Sequence, residues 1–377
     1  MSTTVTDATV PPLAPTTASS TLRVVRASRL PNWLTPILAA AGLGLLAFLP
    51  AFAPQSETAL FVNVFVLLTM ALMWNLLAGY AGMVSIGQQA FVGLGAYGVL
   101  IFAKSGMEPV ASLPLAAIAA AIIALPVSLL VFRLRGGYFA IATWVVADLA
   151  MQVIDSISAV GGGTGENVPG LSSLSPAAFG RVTYFAALAV VALALAASYG
   201  LLRSRLGLVL AAVRDDEVGA RSAGARVMRA RRIVFVVAAL GCGAAGALLA
   251  VSQLQVQPAS VFNVQWSAEM IFATLIGGIG TLEGPILGTV IFFVLQQNLA
   301  NDGAWYLIIF GSLAVLIAIW APKGIFGLID RRFAISLFPL GHRVEHLSRP
   351  ASAPPAPVAA NPTSSRGGAV GAAGPPA

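Results

Sequence analysis

Asp148 is the residue in this chain with the strongest chemical potential for its setting. It sits near the middle of an apolar stretch, Tyr138–Ile157, whose only other charge is Asp155. A carboxylate exposed to hydrocarbon costs about 2.5–3.5 kcal/mol on insertion scales. The expectation is that Asp148 faces the interior of a helix bundle, paired, hydrogen-bonded or protonated. No Lys or Arg lies at comparable depth to pair with it. The competing reading is structural, with the carboxylate held by a backbone or amide group. A second polar cluster, Ser85-Ile86-Gly87-Gln88-Gln89, opens another apolar run. Glutamine amides in such a setting must find hydrogen-bond partners. Other chemistries lack their residues. Cys242 is the sole cysteine, which excludes an internal disulfide framework. The two histidines, His342 and His346, lie near the C-terminus and leave no imidazole in the apolar body. Clustered carboxylates are missing from the apolar spans too, so neither a metal site nor an enzyme is expected.

These polar residues must be positioned by helices in a membrane. Of 377 residues, 58% are hydrophobic and only 9% charged, against about 25% charged in an ordinary soluble domain. A chain of this size cannot coat a water-exposed surface with so few charges. A bilayer core needs roughly 20 apolar residues per helix. Long runs lacking Asp, Glu, Lys and Arg are Leu30–Ser56, Thr58–Ala103 (two spans with a turn at Gly79–Gly82), Pro109–Phe132, Val182–Leu202, Ile233–Ala268, Gly284–Asn301 and Gly303–Pro322. In Ile233–Ala268 the residues Gln253, Gln255, Gln257 and Pro258 spoil the second half. Adding Tyr138–Ile157 and the short Glu269–Thr281 predicts an all-α protein of about ten transmembrane helices, one or more short or broken. With the N-terminus inside, 19 of the 21 Lys and Arg fall on the cytoplasmic side, leaving only Lys104 and Arg181 outside. That is a positive-inside pattern with both termini cytoplasmic. It explains the formal charge of +7 without nucleic acid. The expected organisation is a disordered tail over 1–29, a transmembrane domain over 30–330 containing a cytoplasmic loop at 203–232, and a largely disordered tail over 331–377.

Glycines are dense in these spans: Gly87, Gly93, Gly95 and Gly98; Gly241, Gly243 and Gly246; Gly280, Gly284 and Gly288. Small residues allow close helix packing in lipid, and broken helices at a central path use the same residues. In the loop, Leu210, Val213, Glu217 and Gly224 recur at helical spacing, Glu217 and Arg221 form an i,i+4 pair, and Gly224 suits a C-terminal cap. A short amphipathic helix over about 208–223 is expected. Its acidic cluster, Asp215-Asp216-Glu217, favours a protein partner over anionic lipid.

Several ordered motifs then converge. They are Trp74–Tyr97 (WNLLAGYAGMVSIGQQAFVGLGAY), Leu134–Thr143 (LRGGYFAIAT), Gly162–Leu171 (GGTGENVPGL), Ser204–Gly207 (SRLG), Ala212–Val218 (AVRDDEV), Gly277–Gly288 (GGIGTLEGPILG) and Ala321–Gly324 (APKG). With these the chain resembles the longer of the two paired permeases of bacterial ATP-binding-cassette importers for branched-chain amino acids. The chain departs from that pattern at Gln88, where the family usually has histidine, at Asp148, usually glutamate, and at Gly137, commonly aspartate.

The resemblance implies import of Leu, Ile, Val or related molecules across the bacterial cytoplasmic membrane by alternating access. The implied partners are a second permease subunit, two ATPase subunits and a periplasmic substrate-binding protein. ATP is used by those ATPases; the chain has no Gly-x-x-x-x-Gly-Lys-[Ser/Thr] phosphate loop and is expected to bind no cofactor itself. On this reading Ser85, Gly87, Gln88 and Asp148 line the substrate path, and Val213, Arg214, Asp215, Asp216, Glu217, Arg221 and Gly224 form the helix that docks on an ATPase. The glycine-rich 158–181 loop lies outside. The rival readings are a related permease for urea or short amides, and an ion-coupled secondary transporter with Asp148 as its central carboxylate.

Overall fold

A computed structural model describes residues 22–26, 34–52, 54–170, 175–299, 305–321, 324–333 and 342–346. The elements run β1 (Leu22–Arg26), α1 (Leu34–Phe48), α2 (Gln55–Asn75), α3 (Gln89–Lys104), α4 (Pro109–Val131), α5 (Gly137–Asp155), β2 (Glu166–Asn167) and α6 (Pro176–Arg203). They continue with α7 (Arg205–Asp215), α8 (Glu217–Ser222), α9 (Val227–Gln253), β3 (Gln255–Val256), α10 (Pro258–Val261), α11 (Val264–Gly277), α12 (Glu283–Leu299), α13 (Trp305–Trp320), α14 (Gly324–Phe333) and β4 (His342–His346).

The segments read as spans carry helices α1–α6, α9 and α11–α13, with the short α10 also inside Ile233–Ala268. Five of them, α2 with its following turn, α4, α5, α6 and α9, are long and apolar enough to cross a membrane. The others, α1, α3, α11, α12 and α13, have 14 to 17 residues. At 1.5 Å per residue that is about 21–26 Å, short of a hydrocarbon core of about 30 Å. Three of the short helices border breaks. After α2 the chain makes a π-helical turn, Leu76–Tyr80, then runs without helix to Gln88. The expected helical start at Ser85 is therefore corrected, because regular helix begins at Gln89. Between α11 and α12, Gly278 and Gly280 adopt φ of 137° and 78°, a backbone that side chains resist and glycine accepts.

The core lies where α3 and α4 pack on α9, with α2 alongside. Their approach needs bare backbone. A Cβ on Gly246 of α9 would run into the Val92 carbonyl of α3, and one on Gly95 of α3 would run into the Gly243 carbonyl of α9. Around these contacts Phe91 and Phe132 set their edges against Phe235. By contrast, α5 turns Ile141, Trp144, Val145 and Leu149 outward.

On another side, β2 pairs antiparallel with β3, Glu166 opposite Val256, and Val168 N–H donates to the Leu254 carbonyl at 2.9 Å. Lys104 reaches into the same loop, pairing with Glu166 and donating to the Ala159 carbonyl at 2.7 Å.

The strands β1 and β4 belong to a separate unit made from the two chain ends. They pair antiparallel, with Arg23 opposite Glu345 and Arg26 opposite His342. Both strands fall within the expected tails, at 22–26 and 342–346. Helix α14 likewise extends past 330. Residues 1–21 and 347–377, Leu30–Trp33 of the first expected span, Leu171, and Pro322 and Lys323 of the APKG motif lie outside the described residues.

Candidate functional site

The broken stretch before α3 carries Ser85, Gly87 and Gln88. It is non-helical because its backbone polar groups are held from elsewhere. Trp74 Nε1 of α2 donates to the Ser85 carbonyl at 2.8 Å, and Ile86 N–H donates to Thr143 Oγ1 of α5 at 3.2 Å. Ser85 Oγ accepts from Gln88 Nε2 at 3.2 Å. Gly87 lies flat on the Thr143 carbonyl, where any Cβ would collide. Ser85 and Gln88 are fully buried. Gln88 Oε1 has no hydrogen-bond partner, an unusual state for a buried amide. The void beside them, bordered by Phe91, Thr143 and Phe235, is too small to admit a water molecule.

Three of the four expected path residues are thus together. Asp148 is not with them. It sits on the exposed face of α5 and accepts from Gln152 Nε2 one turn on, at 3.1 Å. The expectation of an interior Asp148 is corrected for this chain: α5 gives its Thr143 face to the broken stretch, and a residue five positions later is rotated about 140° away.

Buried carboxylates occur elsewhere. Glu269 in α11 and Glu283 at the start of α12 are 5% and 6% exposed. Gln265 Nε2 donates to Glu269 at 2.7 Å, and Ser267 of the same helix donates to Gln89. Sequence reading used Glu269 and Glu283 as span boundaries and passed over them. The signal available was the Gln265-Glu269 spacing of four.

The 203–232 loop holds two helices where one was expected. The break is at Asp216, which is extended (φ −151°, ψ 105°) and caps α8 by accepting from Val218 N–H at 2.9 Å. Asp at an N-cap satisfies amides the helix leaves free. Gly224, at φ 84°, closes α8. Its N–H donates to the Arg221 carbonyl and that of Ala225 to the Ala220 carbonyl, a Schellman ending. Leu210 and Val213 of α7 are buried against the rest of the chain, while Leu208 stays exposed. Glu217 bonds Arg221 at 2.6 Å and Arg231 at 3.0 Å. Burial opposes its ionisation, but Arg231, Arg221 and Arg135 outweigh this and hold its carboxyl below the usual range. Asp215, Asp216 and Val218 remain exposed.

Arg214 joins this loop to the breaks in the bundle, a link missed from sequence. Its Nη1 donates to the Gly79 carbonyl at 3.0 Å in the π-helical turn. Gly79 in turn abuts Gly280, where an added Cβ would meet Gly280 N at 2.6 Å. Asn75, fully buried, fastens the two turns by donating to the Thr281 carbonyl at 2.7 Å and accepting from Gly280 N–H at 2.8 Å. A surface loop and two interruptions in the apolar body are therefore one connected piece.

The pattern of the family described as "Branched-chain amino acid transport system / permease component" matches residues 58–319. The chain is 28% identical over 296 residues to the high-affinity branched-chain amino acid transport system permease protein LivM of Salmonella typhimurium (strain LT2), covering 71% of this chain and 69% of that protein. Its identity to LivM of Escherichia coli (strain K12) is 27%, with the same coverage. No solved structure matches it. The matched region runs from the start of α2 nearly to the end of α13, taking in the broken stretch, the 203–232 loop and the glycine turn, and the chain belongs to this family of branched-chain amino acid transport permease components.

Proposed function

We propose that this chain is one of two membrane subunits of an ATP-driven importer that moves Leu, Ile or Val across the bacterial cytoplasmic membrane. Ten crossings, with both ends and the 203–232 loop inside, account for its arginine distribution. Separate ATPase subunits dock on α7 and α8, contacting Asp215, Asp216 and Val218. A periplasmic binding protein delivers substrate near the glycine-rich loop around β2. The path runs past Ser85, Gly87 and Gln88, and the second permease covers the outward face of α5, where Asp148 contributes from the subunit boundary.

The observation that carries this reading is the Arg214 link. Docking that moves α7 pulls on the turns at Gly79 and Gly280, and those turns end the helices beside the broken stretch. Alternating access requires that each state make different contacts, and this bond is placed to be one of them.

The test is uptake by proteoliposomes holding both permeases and the ATPases, supplied with ATP and the binding protein. ATP-dependent uptake of leucine, isoleucine or valine supports the proposal. Uptake of urea or a short amide alone transfers the site to that substrate class. Uptake persisting without the ATPases refutes ATP coupling. A cysteine at position 218 should cross-link to the ATPase, and failure at every exposed position of α7 and α8 refutes the docking assignment.

A further inference from the structure

A cavity of about 410 Å³ opens beside the 203–232 loop. Three separate elements wall it: the segment after the π-helical turn (Met83), the α4–α5 connection (Phe132, Arg135, Phe139), and the loop with the start of α9 (Glu217, Arg221, Met228, Arg231). Its volume is within the roughly 300–1,000 Å³ of small-molecule sites. Its lining combines the apolar side chains of Met83, Phe132, Phe139 and Met228 with three guanidinium groups and one carboxylate.

The charges there do not balance. Glu217 is shared by Arg221 and Arg231, while Arg231 Nε is buried without a hydrogen-bond partner. Arg135 is exposed and forms no hydrogen bond or ion pair among the described residues. Three guanidinium groups thus face one carboxylate, an excess of positive charge that can recruit an anion. Guanidinium forks match carboxylates in shape and charge. Glu217 alongside them disfavours a phosphate and offers an acceptor to an ammonium.

The geometry points to a second binding site in this cavity for a small aliphatic α-amino acid. Arg135 and Arg231 take the carboxylate, Glu217 takes the ammonium, and the methionine and phenylalanine side chains cover the aliphatic part. The inference rests on the proposed substrate class and adds to it: transported amino acid that accumulates inside binds on the arginine-rich side, against α8 and Glu217, and slows further import. Occupancy joins the α4–α5 connection to the α8–α9 corner and restrains the loop on which the ATPases act.

The experiment uses the assembled importer in proteoliposomes of neutral lipid, with L-leucine loaded inside as the probe. The readout is the ratio of ATP-driven uptake with and without internal leucine, which is insensitive to how much of a variant is assembled. Wild type should show a falling ratio as internal leucine rises. Arg135→Gln should shift the half-effective internal leucine upward by roughly tenfold or more, the worth of a hydrogen bond to a charged group. Arg135→Lys should shift it less. Direct binding of radiolabelled L-leucine to the same complexes should weaken in parallel.

A ratio that stays at one in wild type, or a half-effective concentration unmoved by both Arg135→Gln and Arg231→Gln, overturns the site. So does an effect produced equally by inorganic phosphate or by anionic lipid in the vesicle, which would assign the cavity to a phosphate group. Absence of leucine, isoleucine and valine uptake would instead refute the transport reading. The binding measurement still decides the cavity in that case.

Discussion

Replacing Asn75 by alanine should loosen the connection between the two helix breaks, and its cost can be worked from the contacts. Asn75 makes two hydrogen bonds, at 2.7 Å to the Thr281 carbonyl and 2.8 Å from Gly280 N–H. Each contributes about 0.5–1.5 kcal/mol net, and a buried group left unpaired costs about 1–3 kcal/mol. Asn75 is fully buried, but Gly280 and Thr281 are only partly covered, so water can reach some of what alanine exposes. We expect a loss of about 2–3 kcal/mol, roughly 30- to 150-fold in the folded-to-unfolded ratio. At about 2–4 °C per kcal/mol, the thermal midpoint should fall by about 4–12 °C. The chain carries its own reporter. Cys242 is the sole cysteine and is fully buried in α9, so a thiol-reactive dye reads its exposure as the purified permease is heated in detergent. Asn75→Asp keeps the acceptor for Gly280 N–H but sets an oxygen against the Thr281 carbonyl, and should also lower the midpoint. Ser105→Ala, which removes an exposed hydrogen bond to Ile101 of the same helix, should leave it within about 1 °C. An Asn75→Ala midpoint equal to wild type would show that the bonds across the two turns hold nothing together.

Four further outcomes are expected. Arg214→Ala should reduce ATP-driven uptake by roughly tenfold, through loss of one charged hydrogen bond, while the ATPase subunits still co-purify; unchanged uptake would remove Arg214 from coupling. Gly246→Val puts a branched side chain against the Val92 carbonyl and should destabilise by about 3 kcal/mol or more, read with the same dye. For Glu217 the sign follows from its lowered folded value: the clasp with Arg221 and Arg231 is complete above the ordinary glutamate value of about 4.3 and is lost as pH falls through the lower folded value. Cleavage of the loop by an acid-active protease should therefore accelerate as pH falls through that lower folded value, while Glu217→Gln should be cut faster already at neutral pH. Asp148→Asn should lower uptake without moving the thermal midpoint, since Gln152 on an exposed helix face is its only partner among the described residues; normal uptake would make the carboxylate dispensable.

The helices were legible in the residues because lipid makes each one a local decision. A segment such as Pro109–Phe132 has to satisfy its own backbone groups within its own length, and α4 fills it almost residue for residue, Pro109–Val131. The Glu217–Arg221 pair and the Gly224 cap are local in the same sense, and both formed where spacing placed them. The rotation of each helix was not legible. Spans apolar on every side carry no stripe to say which face turns inward, and so Asp148 was assigned to an interior that α5 gives to Thr143. The turn after α2 was legible at Gly79–Gly82, but not its extension to Gln88, since what satisfies that stretch comes partly from elsewhere in the chain, as Trp74 and Thr143 do for Ser85 and Ile86. The bond between Asn75 and Gly280 spans 205 positions, and Arg214 meets Gly79 across 135. Residue order records apolar length faithfully because hydrocarbon imposes it on every segment separately; it leaves open which polar groups meet, because a hydrogen bond between distant segments exists only once packing has set both of them in place.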